Sequence, residues 1–248
     1  MLKKVCKLAR VAGSAIMDIY SSQENFIKIS YKLNNTPITN ADYISNNIIT
    51  TGLTSFFPNI PILSEEQKHH LKNYKSWNIY WLIDPLDGTK EFLKKNGEFT
   101  VNISLIQKGI PILGVLYAPF FDILYFSFNK KAWKETSKGC ERIYVAQSDV
   151  PLLITSRSHI DDQLEYYLST LKNYKIKKLG SSLKFGYIAE GTAQIYPRFG
   201  STYIWDTAAG HAIVIASGGK MQALNGRKLD YLLSSQSSLI NPGFFATS

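Results

Sequence analysis

The chain opens on an apolar stripe. Leu2, Val5, Ala9, Ala12, Ile16 and Ile19 recur three or four positions apart, which predicts an amphipathic helix as the first element. Lys7 and Arg10 interrupt the stripe, so the segment lacks the apolar core of a secretory signal. Residues 26–31 carry a strand-like run, and Asn34-Asn35-Thr36-Pro37 reads as a turn. Thr39 or Asn40 is placed to cap a second helix reaching about Phe56, which Pro58 ends. Residues 60–63 predict a short strand that stops at Ser64-Glu65-Glu66. Residues 67–76 are polar and read as a surface loop, and residues 78–83 predict a strand that stops at another acid, Asp84.

Apolar runs at 99–106, 110–117, 123–128 and 132–134 follow. Lys108-Gly109, Phe121-Asp122 and Asn129-Lys130 separate them, as in an antiparallel meander. The texture changes near Val150. Strand patterns at 152–155, 175–178, 194–196 and 220–224 alternate with helical patterns at 161–171, 182–190 and 206–217. The expectation is an α/β protein of two parts that share an interface. Residues 1–150 hold helices and an antiparallel sheet, and residues 151–248 form an α/β half. No apolar run reaches the ~18 residues needed to cross a membrane.

Composition narrows the partners. A formal charge of +9 favours anions, although abundant lysine alone accounts for it equally well. Lys and Arg are spread along the chain without a basic helix, which disfavours a nucleic-acid-binding module. Cys6 and Cys140 lack CxxC partners; they exclude a disulfide scaffold or zinc cluster and fit a reducing, cytoplasmic setting. His69 and His70 sit in a lysine-rich loop and read as surface. No HExxH, GxSxG, Walker A or GxGxxG stands in a fitting context, and Cys140 has no evident activating His, so nucleophilic Ser or Cys catalysis is disfavoured.

The candidate chemistry lies in acids at strand ends and helix starts: Glu65, Asp84, Asp87 and Asp206. Asp84-Pro85-Leu86-Asp87-Gly88-Thr89 is the most informative segment. Pro85 removes a backbone donor and holds Asp84 extended, and a tight turn then returns Asp87 to its side. Carboxylates so close repel unless one is protonated or a cation lies between them. A hard divalent ion takes such oxygens, the Leu86 carbonyl among them. Gly88 and Thr89 open a helix whose N–H groups can face phosphate. The same residues also read as an Asx-turn with Thr89 as a helix cap, Ser64-Glu65-Glu66 as a solvated loop and Asp206 as a cap. The local pattern leaves these alternatives open.

Longer motifs carry a resemblance. Leu63-Ser64-Glu65-Glu66, the segment from Trp81 through Asp84 and Thr89 to Phe92, and Trp205-Asp206-Thr207-Ala208-Ala209-Gly210-His211 are similar to the lithium-sensitive, magnesium-dependent phosphatases of the inositol monophosphatase superfamily. Asn96-Gly97-Glu98-Phe99-Thr100-Val101-Asn102, Gly180-Ser181-Ser182-Leu183-Lys184-Phe185 and Tyr196-Pro197-Arg198-Phe199-Gly200 resemble its bacterial 3'(2'),5'-bisphosphate nucleotidases. The resemblance runs from the first helix to Asn241-Pro242-Gly243-Phe244.

It implies a sandwich of alternating helix and sheet layers and a magnesium cofactor. Glu65, Asp84, Asp87, Asp206 and the Leu86 carbonyl match the Mg²⁺-binding positions. Asp42 matches the acid that, with the Thr89 hydroxyl, orients and deprotonates the attacking water. Gly88 and Thr89 match a phosphate cradle, and Glu65, Leu86, Asp87 and Asp206 border the substrate with them. Ser181, Lys184, Arg198 and His159 stand where eukaryotic relatives hold the nucleotide. The implied reaction cleaves the 3'-phosphate of adenosine 3',5'-bisphosphate, with 3'-phosphoadenylyl sulfate as a second substrate, in the service of sulfate assimilation. Peripheral contact with the inner membrane is implied as well. The competing readings are an inositol or sugar phosphatase of the same superfamily and a basic anion-binding module without catalysis.

Overall fold

A computed structural model describes residues 1–23, 26–32, 35–67, 74–157, 162–234 and 238–248. Helix α1 (Leu2–Tyr20) buries the predicted stripe, with Val5, Ala9, Ala12 and Ile16 fully enclosed. Burying an aliphatic side chain such as Val5 or Ile16 contributes roughly 1.5–3 kcal/mol. Strands β1 (Ile29–Tyr31) and β2 (Pro37–Thr39) pair antiparallel. The strand expected over 26–31 is therefore shorter than its pattern, and Pro37, expected in a turn, begins a strand. Proline is tolerated at a strand's first residue, where no ladder donor is needed. Thr39 caps α2 (Asn40–Phe56) in a capping box closed by Asp42.

The next strands are β3 (Ile62–Ser64), β4 (Ile79–Asp87), β5 (Thr100–Gln107), β6 (Ile110–Ala118), β7 (Ile123–Phe128), β8 (Lys131–Thr136) and β9 (Gly139–Arg142); helix α3 (Thr89–Leu93) lies between β4 and β5. They form one seven-stranded sheet in chain order. From β4 onward the pairing is antiparallel, as the meander pattern predicts, whereas β3 pairs with β4 in parallel. Lys108, Asp122 and Asn129 adopt left-handed backbone (φ +50°, +49° and +51°) at the predicted turns.

β4 departs from expectation. It does not stop before Asp84 but runs on through Pro85 to Asp87. Asp84 faces Asn102 and Asp87 faces Thr100, so β4 carries an extra residue. The expected tight turn is a β-bulge, placed where Pro85 has no N–H for the ladder.

The remaining elements are β10 (Leu152–Ser156), α4 (Asp162–Thr170), β11 (Lys175–Leu179), α5 (Leu183–Ala189), β12 (Ile195–Arg198), β13 (Thr202–Tyr203), α6 (Ile204–Ala216), β14 (Lys220–Ala223), β15 (Ile240–Asn241) and β16 (Phe244–Thr247). A five-stranded sheet has the order β11-β10-β12-β16-β14. β10 runs parallel to β11 and β12, and β16 lies antiparallel between β12 and β14. The pattern reading misses β9, β13, β15 and β16. The first is wholly exposed, and β13 and β15 have two residues each, so none of these three carries an apolar periodicity.

Helices α1 and α2 cover one face of the seven-stranded sheet. Helices α5 and α6 fill the space between its other face and the five-stranded sheet. α6 lies close on β6: a Cβ at Gly114 would sit 2.3 Å from the Ala209 carbonyl oxygen. On β16, Phe244 stacks on Phe185 of α5, while the neighbouring Phe245 meets Tyr167 of α4. Successive side chains of a strand point to opposite faces, so α4 caps the outer face of that sheet. The protein is an α/β sandwich of alternating helix and sheet layers. Among the described residues, no helix is long and apolar enough to cross a membrane.

Candidate active site

β3 lies parallel to β4, with Ser64 beside Ile83. The next residues on the two strands, Glu65 and Asp84, therefore emerge side by side, and the Glu65 N–H donates to the Ile83 carbonyl at 3.1 Å. Helix α6 packs on the same sheet and brings Asp206 in from its first turn. Carboxylate oxygens of Glu65, Asp84 and Asp206 lie within 4.8 Å of one another. Asp84 is buried, and its Oδ1 accepts the Leu86 N–H at 3.1 Å. Asp206 stands at the third helical position; its Oδ2 accepts the Tyr203 N–H at 2.9 Å, so it closes a capping box and joins the cluster.

Asp87 ends β4 in the same cleft, and its Oδ2 accepts the Ser182 N–H at 2.5 Å. Gly88 follows in left-handed backbone (φ +95°) and caps α3. Thr89 Oγ1 lies 3.2 Å from Asp42 Oδ1 and 3.4 Å from the Leu86 carbonyl oxygen. Asp42 is buried behind Thr89. Its Oδ2 accepts from the Thr39 N–H at 2.7 Å and the Thr39 hydroxyl at 2.6 Å.

Two cations line the same cleft, close to the acids. Lys184, buried on α5, donates to the Leu179 carbonyl at 3.2 Å and to the Ser181 carbonyl at 2.5 Å, and its ammonium lies 5.2 Å from the Tyr196 ring centroid. Arg198 ends β12; it donates from Nη2 to the Ser201 carbonyl at 3.0 Å, while its buried Nε has no partner among the described residues. Glu65, Asp84, Leu86, Asp87, Gly88, Thr89, Ser181, Lys184, Arg198 and Asp206 all line one cleft of about 490 Å³. The structure thus gathers every expected site residue within reach of this cleft except His159. His159 lies outside the described residues, as do His69 and His70.

The electrostatics follow from burial. Asp84 is held well above the ordinary carboxylate range by desolvation and then by Glu65, Asp87 and Asp206. Asp206 is raised by burial, then by Asp87 and Glu65. Burial raises Asp87 to about 6 against the opposing pull of Lys184 and the Ser182 N–H. Asp42 is raised to about 6 by burial, with the Thr39 hydrogen bonds opposing. Lys184 is lowered to about 8 by burial, with Asp87 opposing.

Mutual repulsion of this kind is relieved by a cation, and three converging hard oxygen donors with a nearby carbonyl suit a divalent metal. A stand-in cation already touches the cluster. Lys32 Nζ lies 2.7 Å from Glu65 Oε1 and 2.9 Å from Glu66 Oε1. The pattern reading gives no role to Lys32, because a lone lysine before a turn carries no signal. It also assigns nothing to Glu98 and Arg157, which pair beneath the cleft at 2.6 Å and 2.7 Å.

Residues 1–243 match the inositol monophosphatase family. The 3'(2'),5'-bisphosphate nucleotidase CysQ of Buchnera aphidicola is 62% identical over 248 residues, spanning 100% of this chain and 93% of the relative. The protein of the same name from Escherichia coli K12 is 48% identical over 244 residues, 98% of each chain. CysQ from Bacteroides thetaiotaomicron, a bacterial member of the inositol monophosphatase family, superimposes with a TM-score of 0.86 at 35% identity, covering 99% of this chain and 96% of that one. The Thermotoga maritima inositol monophosphatase shares the fold, with a TM-score of 0.82 at 23% identity over 99% of this chain and 91% of its own. With a family match over residues 1–243, full-length relatives at these identities and the same layered fold, the chain belongs to the inositol monophosphatase family, whose members are metal-dependent phosphatases.

Proposed function

We propose that this protein is a magnesium-dependent nucleotidase that hydrolyses the 3'-phosphate of adenosine 3',5'-bisphosphate to AMP and phosphate, with 3'-phosphoadenylyl sulfate as a second substrate. The observation that carries the reading is the presence of an acidic cluster together with a buried lysine and an arginine in one cleft. A monophosphatase needs only the first; a substrate with a second phosphate calls for the second. The names of the full-length relatives point the same way.

Glu65, Asp84, Asp87, Asp206 and the Leu86 carbonyl are the groups that would hold Mg²⁺. When bound, the metal supplies charge neutralisation on the phosphate oxygens and acidifies the attacking water. The Thr89 hydroxyl, held by Asp42, aligns that water, and Asp42 accepts its proton through Thr89. A carboxyl raised to about 6 suits a base that works near neutral pH. Gly88 and Thr89 present backbone N–H groups to the scissile phosphate. Ser181, Lys184 and Arg198 hold the other phosphate, and the Arg198 Nε, without a partner among the described residues, is a donor for it. His159 is assigned to the nucleotide by resemblance alone.

A panel of phosphate esters assayed with and without Mg²⁺ tests the reading. Chelator-sensitive phosphate release from adenosine 3',5'-bisphosphate in preference to inositol monophosphate and fructose bisphosphate is the expected result. Preference for the sugar phosphates replaces it with the sugar-phosphatase reading. Anion binding without turnover of any ester leaves only a binding module.

A further inference from the structure

Glu98 sits between the Gly88 turn and the loop at Gly180 and has no role in the site described above. Its carbonyl oxygen lies 2.9 Å from where a Cβ on Gly88 would stand and 3.0 Å from where one on Gly180 would stand. The Gly88 turn and the loop that leads into α5 therefore both rest on Glu98. Its side chain is mostly buried and spans the same gap. Oε2 accepts the Gly180 N–H at 2.7 Å, and Arg157 binds both oxygens, through Nε at 2.7 Å and Nη2 at 2.6 Å. Arg157 Nη2 also reaches the Lys178 carbonyl at 3.0 Å, so the pair ties β11 to the loop that follows it.

What it ties down is strained. Ser181 is a non-glycine residue in left-handed backbone (φ +47°). A carboxylate grips the N–H on each side of it: Glu98 holds Gly180, and Asp87 holds Ser182. The Ser181 carbonyl in turn receives the Lys184 ammonium. Loosening Glu98 frees Ser181 to relax, and the Lys184 ammonium moves with it. Burial pushes the Glu98 carboxyl up, but the Arg157 and Gly180 hydrogen bonds outweigh it and hold the group below its ordinary range. It is a charged anchor at neutral pH.

We infer that Glu98 and Arg157 are positioning residues for specificity: they fix the spacing between the scissile-phosphate site at Gly88–Thr89 and the second-phosphate site at Ser181–Lys184. The inference rests on the nucleotidase reading. It assigns the pair to recognition of a substrate with two phosphates, not to the hydrolytic step. Neither side chain is among the residues lining the cleft.

The test compares wild type, Glu98→Gln, Arg157→Gln and Arg157→Lys on two substrates at saturating Mg²⁺. One is adenosine 3',5'-bisphosphate; the other, adenosine 3'-phosphate, offers the same scissile group without the second phosphate. Losing a charge-assisted hydrogen bond to Glu98 raises KM for the bisphosphate about tenfold, with kcat within about twofold and the monophosphate nearly unaffected. Arg157→Lys restores part of the affinity. Arg157 is 41% exposed, so Arg157→Gln keeps the fold and the test survives if Glu98→Gln does not. Equal losses on both substrates, or an unchanged KM for the bisphosphate, overturn the positioning role while leaving the nucleotidase reading intact. Wild-type protein that ignores the bisphosphate overturns both.

Discussion

Gly88→Ala separates strain from site geometry. Gly88 sits at φ +95°, where a side chain costs about 1–2 kcal/mol. An added Cβ would also lie 2.9 Å from the Glu98 carbonyl oxygen and 3.2 Å from the Ser181 Cβ. The first neighbour is backbone, held by the bonds that anchor Glu98, so it yields poorly; such overpacking adds about 1–3 kcal/mol. Gly226 is the matched control. It has φ +78° with nothing among the described residues within 4 Å of an added Cβ, so Gly226→Ala bears the strain alone. For a chain of this size each kcal/mol lowers Tm by about 2–4 °C. Thermal unfolding should thus show a small drop for Gly226→Ala and a clearly larger one for Gly88→Ala. Relief of the clash needs a shift of about 0.5 Å in the phosphate-facing turn, which should cut kcat/KM by about 10–100-fold. Gly226→Ala should keep full activity. Equal Tm values for the two variants, with Gly88→Ala within twofold of wild-type activity, would refute the reasoning.

Three further outcomes are expected. Asp84→Asn should abolish phosphatase activity and weaken Mg²⁺ binding in titration calorimetry, yet raise the Tm of the chelated protein, because it removes a buried charge that Glu65, Asp87 and Asp206 repel; a lower Tm in chelator would contradict the repulsion. Lys184→Met should raise KM for adenosine 3',5'-bisphosphate at least about tenfold and spare adenosine 3'-phosphate, and equal losses on both would remove Lys184 from the second-phosphate site. His211, buried beside the Tyr231 hydroxyl at 3.1 Å, is lowered to about 4 by desolvation. Its folded-state value lies below its unfolded value of about 6.5, so its contribution is present above pH 6.5 and lost as pH falls toward 4. Urea titrations should show the stability gap between wild type and His211→Gln shrinking by on the order of 2–3 kcal/mol over that window, and a constant gap would be the wrong result.

Local pattern sufficed where one element could satisfy itself. The α1 stripe, a cap at Thr39 or Asn40 (Thr39 in the structure) and the meander turns at Lys108, Asp122 and Asn129 are written in neighbouring residues, because helix periodicity, capping and left-handed turns are short-range physics. Local pattern could name the acids at 65, 84, 87 and 206 from strand ends and helix starts, and the resemblance implied one magnesium site for them, but neither shows how they are brought together. That step depends on β3 pairing parallel to β4, on the bulge at Pro85 and on α6 lying against the sheet across Gly114. Each is a contact between segments far apart in the chain, chosen by packing that no local window contains. β16 between β12 and β14, the Lys32 contact with Glu65 and Glu66, and the Glu98–Arg157 pair belong to the same class. A charged residue's partner is set by where the backbone returns. The amino-acid order therefore determined which groups can do the chemistry, and the tertiary structure decided which of them meet, at what distance and with what charge.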